Sequence, residues 1–443
     1  MECGKKSIKV GVVSLGCAKN LINTEQMMFL LREAGYSVSG DIDGADVVLV
    51  NTCGFIESAK VEAIDTIIEL GQARLDGEIG KLLVAGCLVE RYRDQLLAEM
   101  PEIDGIIGVG SFENIVNAVD KALCFDGRIE LFGDINAPIS ETKRIITTSA
   151  KWAYIKIAEG CDNKCAFCVI PNIRGKFRSR PMENIVSEAN ELVRLGIKEL
   201  ILVAQDSTRY GLDLYGKRSL ATLLKELCAI KELKWIRLHY LYPDDITDEL
   251  IELIAENEKI LKYLDMPIQH ISDKVLRKMN RRGNSKKLYE IIKKLRFKIP
   301  GVVIRTSIIT GLPGEGEKEF GELTEFLKNA KIERAGVFPY SPEEGTTAAE
   351  MKRPDTTTAL KRAETVSDIQ MHIMDRFNES RIGDIIEVLV ESCDGGAYRV
   401  RSYAESPDVD GCITVFGEGI TLHEFLKVRI TDIIDGEPVG ELL

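Results

Sequence analysis

The chain has 443 residues, 45% hydrophobic and 29% charged, room for about three globular domains. Its net charge of -12 argues against a broad nucleic-acid footprint, which needs clustered Lys and Arg to displace counterions, and favours a basic protein partner. No apolar run reaches the roughly 18 residues of a bilayer span, the polar start Met1–Lys6 does not read as a signal peptide, and eleven cysteines without one point to a reducing cytoplasm.

The first 125 residues alternate strand-like and helix-like segments. Apolar Ile8–Val13 ends at Gly16-Cys17, Asp46–Val50 ends at Thr52-Cys53, and Lys81–Ala85 ends at Gly86-Cys87. These cysteines stand 36 and 34 residues apart, and one strand–helix unit of a parallel sheet takes about 30 or more. Each is therefore expected at the C-terminal end of a strand, on the shared edge where open α/β sheets bind ligands. Three converging thiolates would form a metal site with three protein ligands. The bland alternative is that small cysteines pack well at strand ends. The next stretch, 126–146, lacks periodicity and carries Asp, Gly, Pro and Ser, a linker composition.

Six apolar strands then alternate with helical segments, near Ala153–Ala158, Glu199–Ala204, Trp235–Leu241, Tyr263–Ile268, Val302–Ile309 and Ala335–Tyr340. Such βα units build a parallel sheet, open or curled toward a barrel, and the pattern does not choose between them. Directly after the first strand comes Cys161-x3-Cys165-x2-Cys168. Three thiolates on one loop can hold three irons of a four-iron cluster and leave the fourth open for chemistry. Zinc prefers four ligands, and no local His or fourth Cys is offered. Three unrelated thiols remain the other alternative. Gln205-Asp206, Gln269-His270 and Gly311–Glu315 also follow strands and would face the same mouth. A helix is expected over Thr358–Phe377. Short strands at Ile385–Val390, Tyr398–Arg401, Ile413–Phe416 and Phe425–Ile430 suggest a small β-barrel.

Several polar residues carry two readings. Gln205, Asp206, Gln269 and Arg305 bind a cosubstrate or substrate, or are satisfied structural groups. The Gly311–Gly316 loop lacks the Lys-Ser/Thr of a phosphate loop; its glycines admit a ligand or simply turn the chain. His239 and His270 are expected to be packed and hydrogen-bonded. Cys3, Cys124, Cys228, Cys393 and Cys412 have no metal-like partners nearby in sequence, and Cys228 reads as core. The pairs Asp244-Asp245 and Glu343-Glu344 read as solvated or partner-facing charge, not an acid/base dyad.

The run Glu159–Cys168, with Phe167 before the last cysteine, resembles the signature of the radical S-adenosylmethionine enzymes. The resemblance implies a [4Fe–4S] cluster on Cys161, Cys165 and Cys168 whose open iron binds S-adenosylmethionine. Its cleavage then yields a 5′-deoxyadenosyl radical able to take hydrogen from an unactivated C–H bond. The resemblance also implies a partial (β/α)6 barrel, and six strands agree. Ser14-Leu-Gly-Cys-Ala-Lys-Asn20, Asn51–Lys60 and Ala85-Gly-Cys87 are similar to the methylthiotransferases. In that family the residues matching Cys17, Cys53 and Cys87 hold an auxiliary [4Fe–4S] cluster that carries the sulfur to be inserted. A second S-adenosylmethionine supplies the methyl group. The chain then reads as an α/β protein: an N-terminal parallel α/β domain at 7–125, a linker at 126–146, a radical core at 147–377, and a TRAM-like antiparallel barrel at 380–443. Cosubstrate contacts are expected at Phe167, Gln205, Gln269, Arg305, Gly311 and Gly314.

The family divides by substrate. One branch modifies transfer-RNA adenosines; the other adds a methylthio group to the β-carbon of an aspartate in the twelfth small-subunit ribosomal protein. Ser14–Asn20, Cys53-Gly-Phe-Ile56, Tyr340–Thr346 and Arg401–Gly411 resemble the second branch, and RNA-acting relatives commonly have Arg where Glu343 stands. From Ser380 to Leu443 there are 13 Asp and Glu against 5 Lys and Arg. Phosphates would meet a negative surface there, whereas a basic ribosomal protein would be attracted; an acidic barrel can also be merely a solubilising surface. The expectation is a protein substrate, free or within the small subunit, an electron donor such as a flavodoxin or ferredoxin, no membrane and no direct nucleic-acid substrate. The alternatives are a transfer-RNA adenosine methylthiotransferase and a non-catalytic iron–sulfur carrier, which needs no βα core of roughly 200 residues. Leu312, Gly316 and Asn23 depart from the family pattern at positions that bear on fine details of cosubstrate fit.

Overall fold

A computed structural model describes residues 8–125, 127–148 and 150–443; Cys3 lies outside these. The N-terminal sheet has six parallel strands: β1 (Lys9–Ser14), β2 (Ser37–Ser39), β3 (Val47–Thr52), β4 (Lys81–Gly86), β5 (Gly105–Ile107) and β6 (Ile129–Leu131). Their order is β2-β1-β3-β4-β5-β6. Every residue of β3 is buried, as expected for a parallel strand covered on both faces. The helices α1 (Ala18–Glu33), α2 (Glu57–Leu75), α3 (Cys87–Glu99) and α4 (Ile115–Cys124) supply that cover.

The described part of the expected linker, 127–146, carries β6 and then a strap along α1. Thr147 donates to Glu25 Oε1 through its amide and hydroxyl, at 2.7 and 2.9 Å, and Arg144 bridges Glu25 and Glu188. The three-residue strands β2, β5 and β6 are too short to show a period in sequence.

The central sheet holds β7 (Trp152–Lys156), then, past the two-residue pair β8 (Ala158–Glu159) and β9 (Arg178–Ser179), β10 (Glu199–Val203), β11 (Trp235–Leu238), β12 (Ile260–Asp265), β13 (Val303–Thr310) and β14 (Arg334–Pro339). The order β14-β13-β12-β11-β10-β7 follows the chain and is open between its ends. One face is apolar and covered by helices, through Leu200, Leu202, Ile236, Leu264 and Ile304. The other presents Tyr154, Ile201, Trp235, Tyr263 and Val303 to Ile22 of α1 and to Leu389 and Ala404 of the C-terminal region.

That region is a closed barrel of β15 (Ile385–Asp394), β16 (Ala397–Arg401), β17 (Ile413–Phe416), β18 (Phe425–Ile434) and β19 (Glu437–Leu442), ordered β15-β16-β17-β19-β18. β19 closes it. Pro438 and Gly440 hid that strand in the sequence, since both are poor strand residues.

The run Arg401–Gly411 enters the concave face of the central sheet. Arg401 Nη2 donates to Glu199 Oε2 at 2.6 Å, Tyr263 Oη to Asp410 Oδ2 at 2.7 Å, and Tyr154 Oη to Asp408 Oδ2 at 2.9 Å. Glu405 and Asp410 therefore face inward, while Asp384, Asp394, Asp408, Glu418, Glu424, Asp432, Asp435 and Glu441 remain exposed. Among the described residues no helix is long and apolar enough to cross a membrane.

Glu405 is the charge at the centre of this insertion. It is buried and pairs with Arg334 and Arg381. Burial opposes its ionisation, but the two guanidiniums outweigh that and hold its carboxyl at about 2. Glu405→Ala should destabilise the fold by about 3–5 kcal/mol, because two buried cations lose their anion; chemical denaturation reads this directly. A depressed carboxyl pKa stabilises above the unfolded value, about 4.3. The Glu405 contribution should therefore be full above that pH and fade as pH falls toward about 2, a fading absent from the variant.

Candidate metal centres and the mouth between them

Strands β1, β3 and β4 are neighbours, so the residues that follow them share one edge. Cys17 caps α1, Cys53 follows β3, and Cys87 opens α3. Gly16 has φ +89°, and a Cβ there would lie 2.6 Å from Cys53 Cβ, so only glycine lets these two loops close. Burial, with the neighbouring Cys17 and Cys87, pushes the Cys53 thiol up to about 12. Burial also raises Cys87, against the pull of Arg174. At Cys17 burial is outweighed by Lys19 and Arg174, which hold the thiol below its usual range.

The second set follows β8. Cys161 N donates to Gly175 O at 3.1 Å and Cys168 N to Cys165 O at 3.0 Å. The loop is pinned from outside: Ala166 N donates to Met279 O, and Ala348 N to Ala166 O. Phe167 packs beside Leu312, Tyr340 and Met351. Burial pushes Cys161 up to about 11 and Cys168 up to about 12.

All ten described cysteines are free thiols. Among the described residues no three His, Cys, Asp or Glu side chains gather as ligands of a single metal ion. A four-iron cluster is a wider body than one ion, and two sets of three thiols match its donor chemistry. Buried thiols with raised pKa ionise only against added positive charge, which iron provides. The residues present fit such clusters.

The two sets are joined by Arg174, which sequence reading missed. It ends α5 (Ile170–Arg174), the short helix directly after Cys168. It is 2% exposed. Its Nε and Nη2 donate to Cys87 Sγ at 3.3 and 3.1 Å. Nη2 also donates to Asn20 Oδ1 at 3.1 Å, and Nη1 to Asn23 Oδ1 at 2.9 Å. The charge is met by Glu159 Oε2 at 3.3 Å, which also accepts from Lys156 Nζ at 2.8 Å. Gln205 Nε2 donates to Glu159 Oε1 at 2.8 Å. Burial penalises the Glu159 charge, yet Lys156 and Arg174 hold its carboxyl well below the usual range.

A second bridge corrects the reading of Glu343 as solvated or partner-facing. Glu343 is 3% exposed. It accepts from Arg91 Nη1 at 2.6 Å and Lys60 Nζ at 3.1 Å. Arg91 also donates to Gly54 O, beside Cys53, at 3.0 Å. The loop after β14 is thus tied to the N-terminal sheet. Asp245 is likewise buried, between Arg218 and Arg282; Asp244 and Glu344 are exposed as expected. In both pairs the residues alternate in direction, and only tertiary contacts reveal which one turns inward.

Gln205 and Gln269 lie at strand ends on the mouth. Gln205 Oε1 is buried without a partner, and Gln269 holds φ +71°, a strained conformation of the kind that clusters at functional sites. Arg305 pairs with Asp265 at 3.1 Å and lies 3.9 Å from Asp410. At Gly311 a Cβ would meet Ala359 Cβ at 2.4 Å, and Gly314 has φ +95°; packing at the first and backbone conformation at the second account for these glycines. Asp206 accepts from Asn163 Nδ2 at 2.7 Å. His239 lies 2.9 Å from Ser406 Oγ, and His270 Nε2 lies 3.1 Å from Glu315. Both histidines are packed structural groups.

Three family profiles match in series: "Uncharacterized protein family UPF0004" over residues 9–108, the Radical SAM superfamily over 155–327, and the TRAM domain over 382–442. The ribosomal protein uS12 methylthiotransferase RimO of Caldanaerobacter subterraneus subsp. tengcongensis is 47% identical over 98% of this chain and 99% of its own length. That of Pelotomaculum thermopropionicum is 48% identical over 98% and 99%. This chain belongs to the uS12 methylthiotransferase family. It is a radical S-adenosylmethionine enzyme, and its cofactors are [4Fe–4S] clusters and S-adenosylmethionine. A radical S-adenosylmethionine methyltransferase, TsrM from Kitasatospora setae, solved with cobalamin and a [4Fe–4S] cluster, shares the fold. Its TM-score is 0.56 at 13% identity, over 77% of this chain and 74% of that one.

Two substitutions probe the bridges. Glu343→Ala strands Arg91, while Lys60 keeps Glu57, and should destabilise by about 3 kcal/mol, with faster hydrogen exchange in 341–346 and at the start of α3. Arg174→Lys keeps the charge but loses the planar fork. Its iron content after anaerobic reconstitution should drop to that of a chain with one cluster.

Proposed function

We propose that this chain adds a methylthio group to the β-carbon of an aspartate in ribosomal protein uS12. The observation that carries the reading is that the short helix after Cys168 packs on Cys87 through Val169 and Ile173 and bonds its sulfur through Arg174, which brings the loop after β8 against the cysteines at the adjacent strand ends. We assign Cys161, Cys165 and Cys168 to the radical-generating cluster and Cys17, Cys53 and Cys87 to the sulfur-carrying one. Bound there, the clusters and S-adenosylmethionine supply hydrogen abstraction, sulfur insertion and methyl transfer.

The chain's own part is binding, orientation and exclusion of water. Arg174 and Glu159 hold the two loops in register. We assign Phe167, Gln205, Gln269, Arg305, Gly311 and Gly314 as cosubstrate contacts; the unpaired Gln205 oxygen and the strained Gln269 backbone support the two glutamines. The run Arg401–Gly411 closes the concave face from the side opposite the mouth. We place the domain borders at 7–125, 126–146, 147–377 and 380–443, the enzyme in the cytoplasm, and a flavodoxin or ferredoxin as electron donor. The exposed acidic residues of the barrel suit a basic ribosomal protein rather than RNA.

Anaerobic turnover of the reconstituted chain with uS12 and transfer RNA in one tube tests this by mass spectrometry. The expected product is one methylthio group on an aspartate, with unmodified RNA; methylthiolated adenosine overturns the assignment. Cys53→Ala should lose one cluster's iron and give no product.

A further inference from the structure

The target carbon of the proposed reaction carries a carboxylate one bond away. A buried anion needs a cation, and the mouth offers several. Arg174 and Lys156 share Glu159, and Arg174 also bonds the Cys87 sulfur. Arg305 is matched by Asp265. Arg281 sits on the radical-cluster side, 3.8 Å from Cys165 Sγ.

Lys19 is different. It lies in the first turn of α1, two residues after Cys17. It is 7% exposed, and its Nζ stands 3.5 Å over the ring of Tyr240. Among the described residues it forms no salt bridge with any carboxylate. Tyr240 follows β11 at the mouth and holds φ +59°, with its amide bonded to Asp265 at 3.2 Å. Tyr240 is thus a fixed platform that holds a buried ammonium beside the Cys17 loop. Its charge is met in part by Cys17, whose thiol it holds below the usual range, but among the described residues no carboxylate is bonded to it, and a ligand can supply one.

We propose that Lys19 binds the side-chain carboxylate of the substrate aspartate. The inference rests on the function proposed above. Sulfur arrives from the Cys17 side, so the accepting carbon must come close to that cluster, and its carboxylate must then lie beside Lys19. The Nζ donates to a carboxylate oxygen, while Tyr240 holds the ammonium by its ring face. An uncharged adenine would make no use of this cation. The same residue therefore selects the protein substrate and fixes the orientation of its β-carbon.

The test is a double-mutant cycle on binding. Fluorescence anisotropy reads labelled uS12, with Asp or Asn at the target position, against the cluster-loaded full chain and its Lys19→Met and Lys19→Arg variants. The wild type should bind the Asp form on the order of 30-fold more tightly than the Asn form. Lys19→Met should bind both forms equally, at the wild-type level for Asn, and Lys19→Arg should restore the preference. Iron content and melting temperature report folding, and Lys19→Gln replaces Lys19→Met if that variant fails to assemble. A Lys19→Met chain that still prefers Asp, or that weakens both forms by the same factor, overturns the proposal. A wild type that neither binds nor modifies the Asp form instead overturns the substrate assignment beneath it, and this inference falls with it.

Discussion

The guanidinium of Arg174 is buried between two sheets, and a charge in that place must be met on every donor. It is met by Glu159 from its own domain, and by Asn20, Asn23 and the Cys87 sulfur from the other. The planar fork sets those partners at fixed angles. Since α5 begins two residues after Cys168 and ends at Arg174, the fork also fixes how far one cysteine loop lies from the other. A chemistry that moves hydrogen at one cluster and sulfur at another needs that separation held to a fraction of an ångström. The Arg91–Glu343 pair holds the opposite side of the mouth. With Glu25–Arg144–Glu188, three charged links tie the N-terminal domain to the central one.

Such a joint explains the odd composition of α1. Its Met27, Met28 and Leu31 face its own sheet, while Asn20, Asn23 and Glu25 are equally buried against the central domain. A helix covered on both sides shows no amphipathic stripe. The buried polar side is tolerated because each group is bonded: Asn20 and Asn23 to Arg174, and Glu25 to Arg144 and Thr147. Lys19 stands among them beside Cys17, its ammonium over the Tyr240 ring and, among the described residues, bonded to no carboxylate.

The barrel at the C-terminus is a part of the core and not only an attached module. An open six-stranded sheet leaves a concave polar face that water would fill. Arg401, Ser402, Glu405 and Asp410 fill it instead, bonded to Glu199, Arg237, Arg334 and Tyr263. The run that marks the protein-modifying branch is therefore largely interior, and the outward acidity of the barrel comes from other residues, such as Asp394, Glu424 and Asp432.

Both cysteine sets, the alternation of strands and helices, and the six central strands were legible in the chain, because period and spacing are local properties. Gly86-Cys87 after an apolar run places a thiol at a strand end whatever lies around it. Short strands escaped: β6 has three residues, and β19 contains Pro and Gly. Arg174, Lys19, Arg91 and Glu343 escaped for another reason. A charged side chain looks the same in sequence whether it meets water or a buried partner, and these partners lie 87 residues away for Arg174 and Cys87 and 252 for Arg91 and Glu343. By itself the sequence determined the sheets, the six thiols and the chemistry they can hold. The tertiary structure alone decided which charges turn inward, since that depends on desolvation and pairing between segments that are brought together only by folding.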